Sequence, residues 1–394
     1  MELPSGGSPR LDLRLGWDGF DLARVRHYLP AAGIKEKLAR WLNQALVSGR
    51  VSGGTLAVRG RLDDFPFDRG EGLFHARFPV RDAVLDYHSR WPRLEDARGE
   101  VVFHNRSLTV TAATGRLYGA PLERVDARID DLQHAVLALR GRTRTAAETL
   151  LAFVRDSPLA ARLEGYVAGM AATGDNVLDL DLTIPLGPAP VQVNGRLDFT
   201  GGGLTLSPAW GGLRFTDIRG GLYFSDKSLL ARDVQLRLEK RPLRLDIDTV
   251  AAGESRETRF WLHGRLGAEA FPDWLAVPPG ILRGDAQWEG LLAVTARPEG
   301  GPAGFQLSMT SDLAGMAVHL PPPLAKPAAR RRAFAARAAL TAPGALEVRA
   351  AYGNLARSVL LFAGVGDRPR LERGELRVRA GEAALPVSPG LHVT

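Results

Sequence analysis

Histidines and paired carboxylates are the residues in this sequence whose chemistry could serve catalysis or metal binding. His27, His75, His88, His104 and His263 stand singly, and none pairs with another at metal-ligand spacing. Isolated histidines of this kind are ordinarily satisfied surface or strand residues. Asp179/Asp181 and Asp246/Asp248 are two apart in strand-like runs, so each pair shares one face. Such a pair could work as a general acid and base, but the same spacing builds the solvated face of an amphipathic strand. The chain has no nucleophile elbow, phosphate loop or dinucleotide fingerprint. With no cysteine it has no disulfide, thiolate metal site or cysteine nucleophile. The sequence therefore predicts no catalytic residue, no metal site and no cofactor, and a protein that is not an enzyme.

The densest positive run is Lys326, Arg330, Arg331, Arg332 and Arg337. Nucleic-acid binding calls for interleaved aromatics, and only Phe334 is nearby, so no nucleic-acid partner is expected. Contact of Arg330, Arg331 and Arg332 with anionic head groups is one reading, and a plain solvated segment is the other. Net charge is +7 and arginine far outnumbers lysine, which a high-GC genome explains as well as a ligand does.

The elements that would position any site come from the pattern. Over 394 residues, 45% hydrophobic and 24% charged content is that of a globular chain, with room for several domains or one repeat array. Glycine (44) and proline (26) are spread throughout, which favours many short elements joined by turns. No apolar run approaches the ~20 residues that span a bilayer, and no signal pattern opens the chain. If it works in an envelope, it is expected to be an internal piece of something longer.

Ile34, Leu38, Trp41, Leu42, Ala45 and Leu46 fall at helical spacing, with Gly49 as the stop, and a weaker helical turn covers Leu22 to Tyr28. Ala146 to Val154 predicts a second helix, followed by Ser157-Pro158 with Leu159 and Leu163 continuing its face. A third, short one holds Phe271, Trp274 and Leu275. Elsewhere the period is two, as in Leu56/Val58, Phe74/Ala76/Phe78 and Val101/Phe103, predicting strands with one apolar and one wet face.

The pattern also repeats. Gly99, Phe103, Leu108 and Pro121 match Gly220, Phe224, Leu229 and Pro242 at an offset of 121 residues, while Trp91 and Trp210 are 119 apart. Each tryptophan either packs the meander against its helix or meets a ligand at a rim. A helix followed by a curved antiparallel meander leaves one apolar sheet face, which a second sheet could close as a sandwich. Alternatively the units could join edge to edge, leaving the face open for a ligand. Periodicity alone does not separate these.

Several stretches carry a resemblance: Gly60 to Phe67, Gly72-Leu-Phe74, Leu85-Asp-Tyr87, Trp91-Pro-Arg-Leu94, Phe103, Phe153 to Leu159, Ile184-Pro-Leu186, Gly220 to Phe224, Ser311-Asp-Leu313, Leu320 to Pro327 and Arg373-Gly-Glu-Leu. In this order they resemble the central region of the YhdP family, within the AsmA-like superfamily. That resemblance implies a repeating β-groove: elongated, twisted antiparallel repeats forming an open apolar groove, each introduced by a helix. It implies phospholipid transport or bridging between the inner and outer membranes of a Gram-negative envelope, without bond breaking. The expected setting is the periplasm, with an inner-membrane anchor and membrane contacts supplied by parts absent from this chain. The expected partner is phospholipid, and the expected state is a monomer. A structural scaffold without lipid is the alternative.

On this reading residues 1–144, 145–267 and 268–394 form three repeats, the last partial. Groove or core candidates are Leu56, Val58, Phe74, Phe78, Val101 and Phe103 in the first. In the second they are Leu204, Leu206, Leu222, Phe224, Leu236 and Leu238.

Overall fold

Period-two alternation becomes long antiparallel strands in the computed structural model. It describes residues 9–27, 44–67, 69–87, 91–157, 169–187, 189–207, 212–253, 255–271, 275, 277–296, 304–342, 344–364, 369–379 and 381–394. Two units divide the chain: Met1–Ala161 with Asn176–Leu197, and Arg162–Asp175 with Asp198–Thr394.

The first unit holds β1 (Arg10–Trp17), β2 (Phe20–Asp21), β3 (Leu46–Val51), β4 (Gly54–Arg61), β5 (Leu73–Leu85), β6 (Leu94–His104), β7 (Ser107–Leu117), β8 (Ala120–Ile129), β9 (Val136–Ala146) and helix α1 (Ala147–Arg155). β10 (Ala171–Thr173) belongs to the second unit, β11 (Asp175–Pro185) almost wholly to the first, and β12 (Gln192–Thr205) runs from one into the other. The second unit continues with β13 (Arg214–Ser225), β14 (Leu229–Leu238), β15 (Arg241–Ala252), β16 (Ser255–Gly267), β17 (Leu282–Ala296) and β18 (Gly304–Ser311). It ends with β19 (Met316–Val318), β20 (Phe334–Ala342), β21 (Ala345–Tyr352), β22 (Ala356–Ala363), β23 (Arg370–Val378) and β24 (Gly390–Val393).

In the first unit β1 pairs with β4, which opens an antiparallel meander through β5 to β9, and β11 pairs with β9. In the second, β13 to β18 run consecutively, followed by β20 to β23. Short strands lie at the ends of longer ones: β3 on β5, β10 on β12 and β19 on the start of β17. Only β24 is parallel to its neighbour among the described pairings, lying beside β23.

The meanders bend at aspartates. Asp82, Asp96, Asp217 and Asp233 all take left-handed backbone near φ 50°, and each sits at a break in pairing register. Aspartate tolerates that conformation, and the extra residue of a bulge increases local twist and bends the strand. Arginines hold these corners: Arg50 and Arg98 from the neighbouring strands are each 2.9 Å from Asp82, and Asp217 has Arg219 of its own strand at 3.0 Å and Arg237 of the next at 3.3 Å. Asp96 and Asp217 are 121 residues apart, as are the hairpin residues Tyr118-Gly119 and Glu239-Lys240, all at positive φ.

Of the helices that the sequence predicts, part lies among the described residues, and Gln44 and Ala45 of the first are helical. The predicted turn from Leu22 is a 3₁₀ turn, Leu22–His27. Helix α1 forms where expected, with Glu148 in its first turn and Arg155 in its last, both complementing the helix dipole. Ile34, Leu38, Trp41 and Leu42 lie outside the described residues, whereas Leu46 opens β3 rather than continuing a helix. Gly49, expected as a helix stop, is inside β3 at φ +142°, where an added Cβ would come within 2.9 Å of the Ala83 backbone. Glycine there lets β3 close onto β5. Of the segment corresponding to α1 one repeat later, Ala268–Ala270 form a 3₁₀ turn. Leu159, Leu163, Trp210 and Trp274 lie outside the described residues.

Candidate functional site: a sheet face covered at one end

Cross-strand partners share a face, so register sorts the side chains. In the first unit one row runs Leu15, Leu56, Ala76, Phe103, Leu108, Ile129, Leu137. A second joins Leu13, Val58 and Phe74, and a third joins Phe78, Val101, Val110, Ala127 and Leu139. The six first-repeat candidates thus stand on one face. They are half-buried, and Leu15 on β1 is 49% exposed. Among the described residues no second sheet packs over these rows, although Phe78 packs against the buried Leu22–Val51–Ala83–Ala97 cluster and the Phe65 ring stands 5.4 Å from Phe74.

The opposite face is polar. His75 and His104 are direct partners there, with ring centroids 6.0 Å apart. Among the described residues no group of three histidines, cysteines or carboxylates could hold a metal. Asp181 meets Arg140 at 3.0 Å and Asp179 meets Arg142 at 3.8 Å. Asp246 accepts a bond from the Asp233 backbone N–H at 2.8 Å, and Asp248 lies 3.9 Å from Arg232. These pairs are therefore the wet side of strands held by cross-strand charges. His263 lies opposite Arg244 and Glu289 on the polar face of the second unit. His88 is outside the described residues.

In the second unit an apolar row runs Leu222, Ala231, Ile247, Phe260, Leu292, Leu307, Ala338, Val348, Leu360. Ala231 and Ile247 are buried, in a small cluster with Val234 against which Leu222 and Phe260 pack, and the remaining side chains of the row are half-buried. Phe224, paired with Leu229, flanks the row. Leu204 and Leu206, at the end of β12, are also half-buried.

Two rows along the strands, the same face is sealed. Leu236, Leu243, Trp288, Phe334 and Tyr352 occupy one register row. Leu313 and Met316, from the connection between β18 and β20, pack over it with Leu266, Ala286 and Phe271. Trp288 is 2% exposed, with Phe271 and Phe334 rings 5.7 and 5.5 Å away. Leu236 and Leu238, at 6% and 4% exposure, belong to this covered cluster and not to the open rows.

Lys326 pins the cover. It is 2% exposed, and its Nζ donates to the carbonyls of Leu313 (2.7 Å), Arg330 (2.6 Å) and Pro327 (3.2 Å). Burial pushes its pKa below the ordinary lysine value. The lysine expected to contribute to a basic surface patch is instead internal. Tyr352 Oη donates to the Leu324 carbonyl at 3.1 Å, and the Arg332 guanidinium lies 4.9 Å from the Tyr352 ring centroid. Arg332 is thereby part of the clasp, while Arg330 and Arg331 are exposed, Arg331 lying 3.6 Å from Asp312. Arg337 is on the polar face, opposite Arg349.

In the first unit α1 closes the corresponding strand ends. Phe153 meets Trp91 at 5.7 Å and Tyr118 at 6.4 Å, and Tyr118 donates to Asp156. Trp91 therefore packs the meander against a helix.

The sequence does not point to the Lys326 clasp, because its three acceptors are main-chain carbonyls. The Pro321-Pro322-Pro323 run before it is the only local sign of a fixed connection.

The YhdP protein family model matches residues 1–394. The intermembrane phospholipid transporter YhdP of Escherichia coli (strain K12) is 23% identical over 333 residues, covering 82% of this chain and 25% of that protein. The match thus spans a quarter of the relative's length. No solved structure matches. No helix among the described residues is long and apolar enough to cross a membrane. Matched along its whole length, the chain belongs to the YhdP family.

Proposed function

We propose that the open apolar rows shield phospholipid acyl chains, making this chain a carrying section of a conduit between two membranes. The observation behind this reading is that each unit has a sheet face with half-buried Leu, Val and Phe and, among the described residues, no second sheet over it. Such a surface costs free energy in water unless something apolar occupies it. Each acyl methylene leaving water contributes ~0.8 kcal/mol. A row of similar aliphatic side chains gives no single deep site, so a chain can slide without bond breaking. The relative's phospholipid transport supports phospholipid as cargo.

Within this proposal the chain comprises three meanders, over residues 1–144, 145–267 and 268–394. The 121-residue offset of the bulges and hairpins supports the first two. The setting is the periplasm of a Gram-negative envelope, the longer protein supplies contacts with both membranes, and the chain acts as a monomer without enzymatic turnover. The test is mass spectrometry of the purified protein after exposure to phospholipid vesicles. Stoichiometric phospholipid that survives gel filtration is expected. A lipid-free protein under the same treatment would leave only a scaffold role.

A further inference from the structure

We infer that the second unit carries a phosphate-recognising rim at the end of its apolar face opposite the sealed cluster, formed by Lys227, Arg256 and the Thr249–Thr258 hydroxyl pair. This rests on the carrier reading and specifies how a phospholipid lies on the strands.

Alternate residues of β16 show the gradient. Leu266 is buried in the sealed cluster, Leu262 and Phe260 follow on the open face, then Thr258, then Arg256. All are two or four apart in one strand, so they share that face. The neighbouring strand repeats the order: Leu243 is sealed, Leu245 and Ile247 follow, and Thr249 sits directly opposite Thr258. The two hydroxyl oxygens are 3.0 Å apart, and Thr249 Oγ1 also accepts from the Leu229 N–H at 3.0 Å, so Thr258 is the hydroxyl of the pair that faces a ligand. One face thus passes from dry core to open hydrocarbon surface, to hydroxyls, to a cation.

A second cation joins it. The β13–β14 turn is fixed by Ser225 and Ser228, whose hydroxyls are 2.9 Å apart, and it presents Lys227. Arg256 Nη1 donates to the Lys227 carbonyl at 3.0 Å, which holds the two basic residues side by side. Both are exposed. The Lys227 ammonium has a carboxylate contact with Asp226 only at 3.9 Å.

The first unit shows what a neutralised rim looks like. Arg106 stands 121 residues before Lys227, and its guanidinium is held by Asp131 through two hydrogen bonds. The residue 121 after Asp131 is Ala252, so the position that supplies the neutralising acid in one repeat has none in the next.

The dimensions suit one occupant. Six residues of strand from Leu262 to Arg256 span about 20 Å, and one leaflet of hydrocarbon is about 15 Å, half of the bilayer core. A phospholipid laid along the strands would place its tails over Phe260 and Leu262, with Leu292 of the next strand beside them, and its phosphodiester between Lys227 and Arg256. Charge-assisted bonds to phosphate oxygens are the strong polar contacts such a site can make.

The test uses the full chain incubated with mixed micelles of phosphatidylglycerol and diacylglycerol bearing the same acyl chains. The two bound lipids are quantified by mass spectrometry. Wild type is expected to enrich phosphatidylglycerol, and K227Q/R256Q to lower that enrichment about tenfold, the equivalent of roughly 1.4 kcal/mol of lost contact. The single variant K227Q removes no hydrogen bond of the fold and is expected to lower it several-fold, with an unchanged melting curve. Equal enrichment by wild type and folded variants would overturn the rim while leaving the carrier reading standing. Wild type that takes up neither lipid would overturn both. Saturation of Lys227 and Arg256 by inorganic phosphate, without phospholipid enrichment, would make this a free-anion site and overturn the proposal.

Discussion

Trp288 and Leu292 are on the same strand and the same face, four residues apart, in opposite situations. Trp288 is 2% exposed beneath Met316 and Leu313, whereas Leu292 is half-buried and outside that cluster. The difference comes from the connection between β18 and β20, which folds back across the strand ends and is pinned by a buried ammonium. Both are apolar side chains on pleated backbone, but only one end of the face is committed to holding the fold. The other end is left available, which is how a thin sheet can be stable and still present hydrocarbon surface.

The contrast predicts unequal responses to substitution. Trp288→Ala should destabilise the second unit by about 3–5 kcal/mol, the cost of truncating a fully packed aromatic residue, measured by denaturant unfolding. Leu292→Ala should cost under about 2 kcal/mol, because a half-buried leucine leaves no closed cavity. Equal losses would mean that the open rows are core. Lys326→Met should come next, at roughly 2–3 kcal/mol, since three carbonyls, that of Leu313 buried, lose their donor while the apolar stem is kept. Hydrogen exchange should then accelerate over residues 313–330 first; uniform acceleration would contradict a local clasp.

A smaller effect belongs to the bends. Replacing Asp217 with Val puts a β-branched residue at φ 53° and removes two arginine contacts. A loss of about 1–3 kcal/mol is expected from backbone strain, again by denaturant melt. An unchanged melt would mean that the bulge carries no conformational demand.

The smallest effect is one of pH. Arg106 bonding, reinforced by His134 and the Gln133 N–H, holds the Asp131 carboxyl well below the usual carboxylate range. A depressed folded-state pKa stabilises the fold above the unfolded value near 3.8, and that contribution is lost as pH falls below it. Asp131→Asn should therefore flatten the acid limb of stability below pH 4 and leave the alkaline limb alone. A changed alkaline limb would place the ion pair's role elsewhere.

Much of this was legible in the alternation of residues. Leu56, Val58, Phe74, Phe78, Val101 and Phe103 share a face because period two forces it once the strands pair. The 121-residue offset reappears in the left-handed bulges at Asp96 and Asp217. What alternation does not encode is which end is covered. Leu236 and Leu222 look equivalent along the chain, and only the fold-back of residues 313–330, far off in sequence, buries the first and spares the second. Lys326 reads as one more cation near Arg330 until its carbonyl partners are assembled. The helix expected through Leu46 stops at Ala45, because Leu46 already pairs with Leu85 and Gly49 serves a close strand approach rather than a helix end. The grading of Arg256, Thr258, Phe260 and Leu262 stands in the sequence as alternate residues, but it gains meaning only when Lys227 is brought alongside.

The most direct measurement of the central claim is paired photo-crosslinking in phospholipid-loaded protein, with the reactive residue at position 292 in one variant and at position 288 in the other. The account predicts acyl-chain adducts at 292 and none at 288. Adducts at neither position, or equally at both, would contradict it.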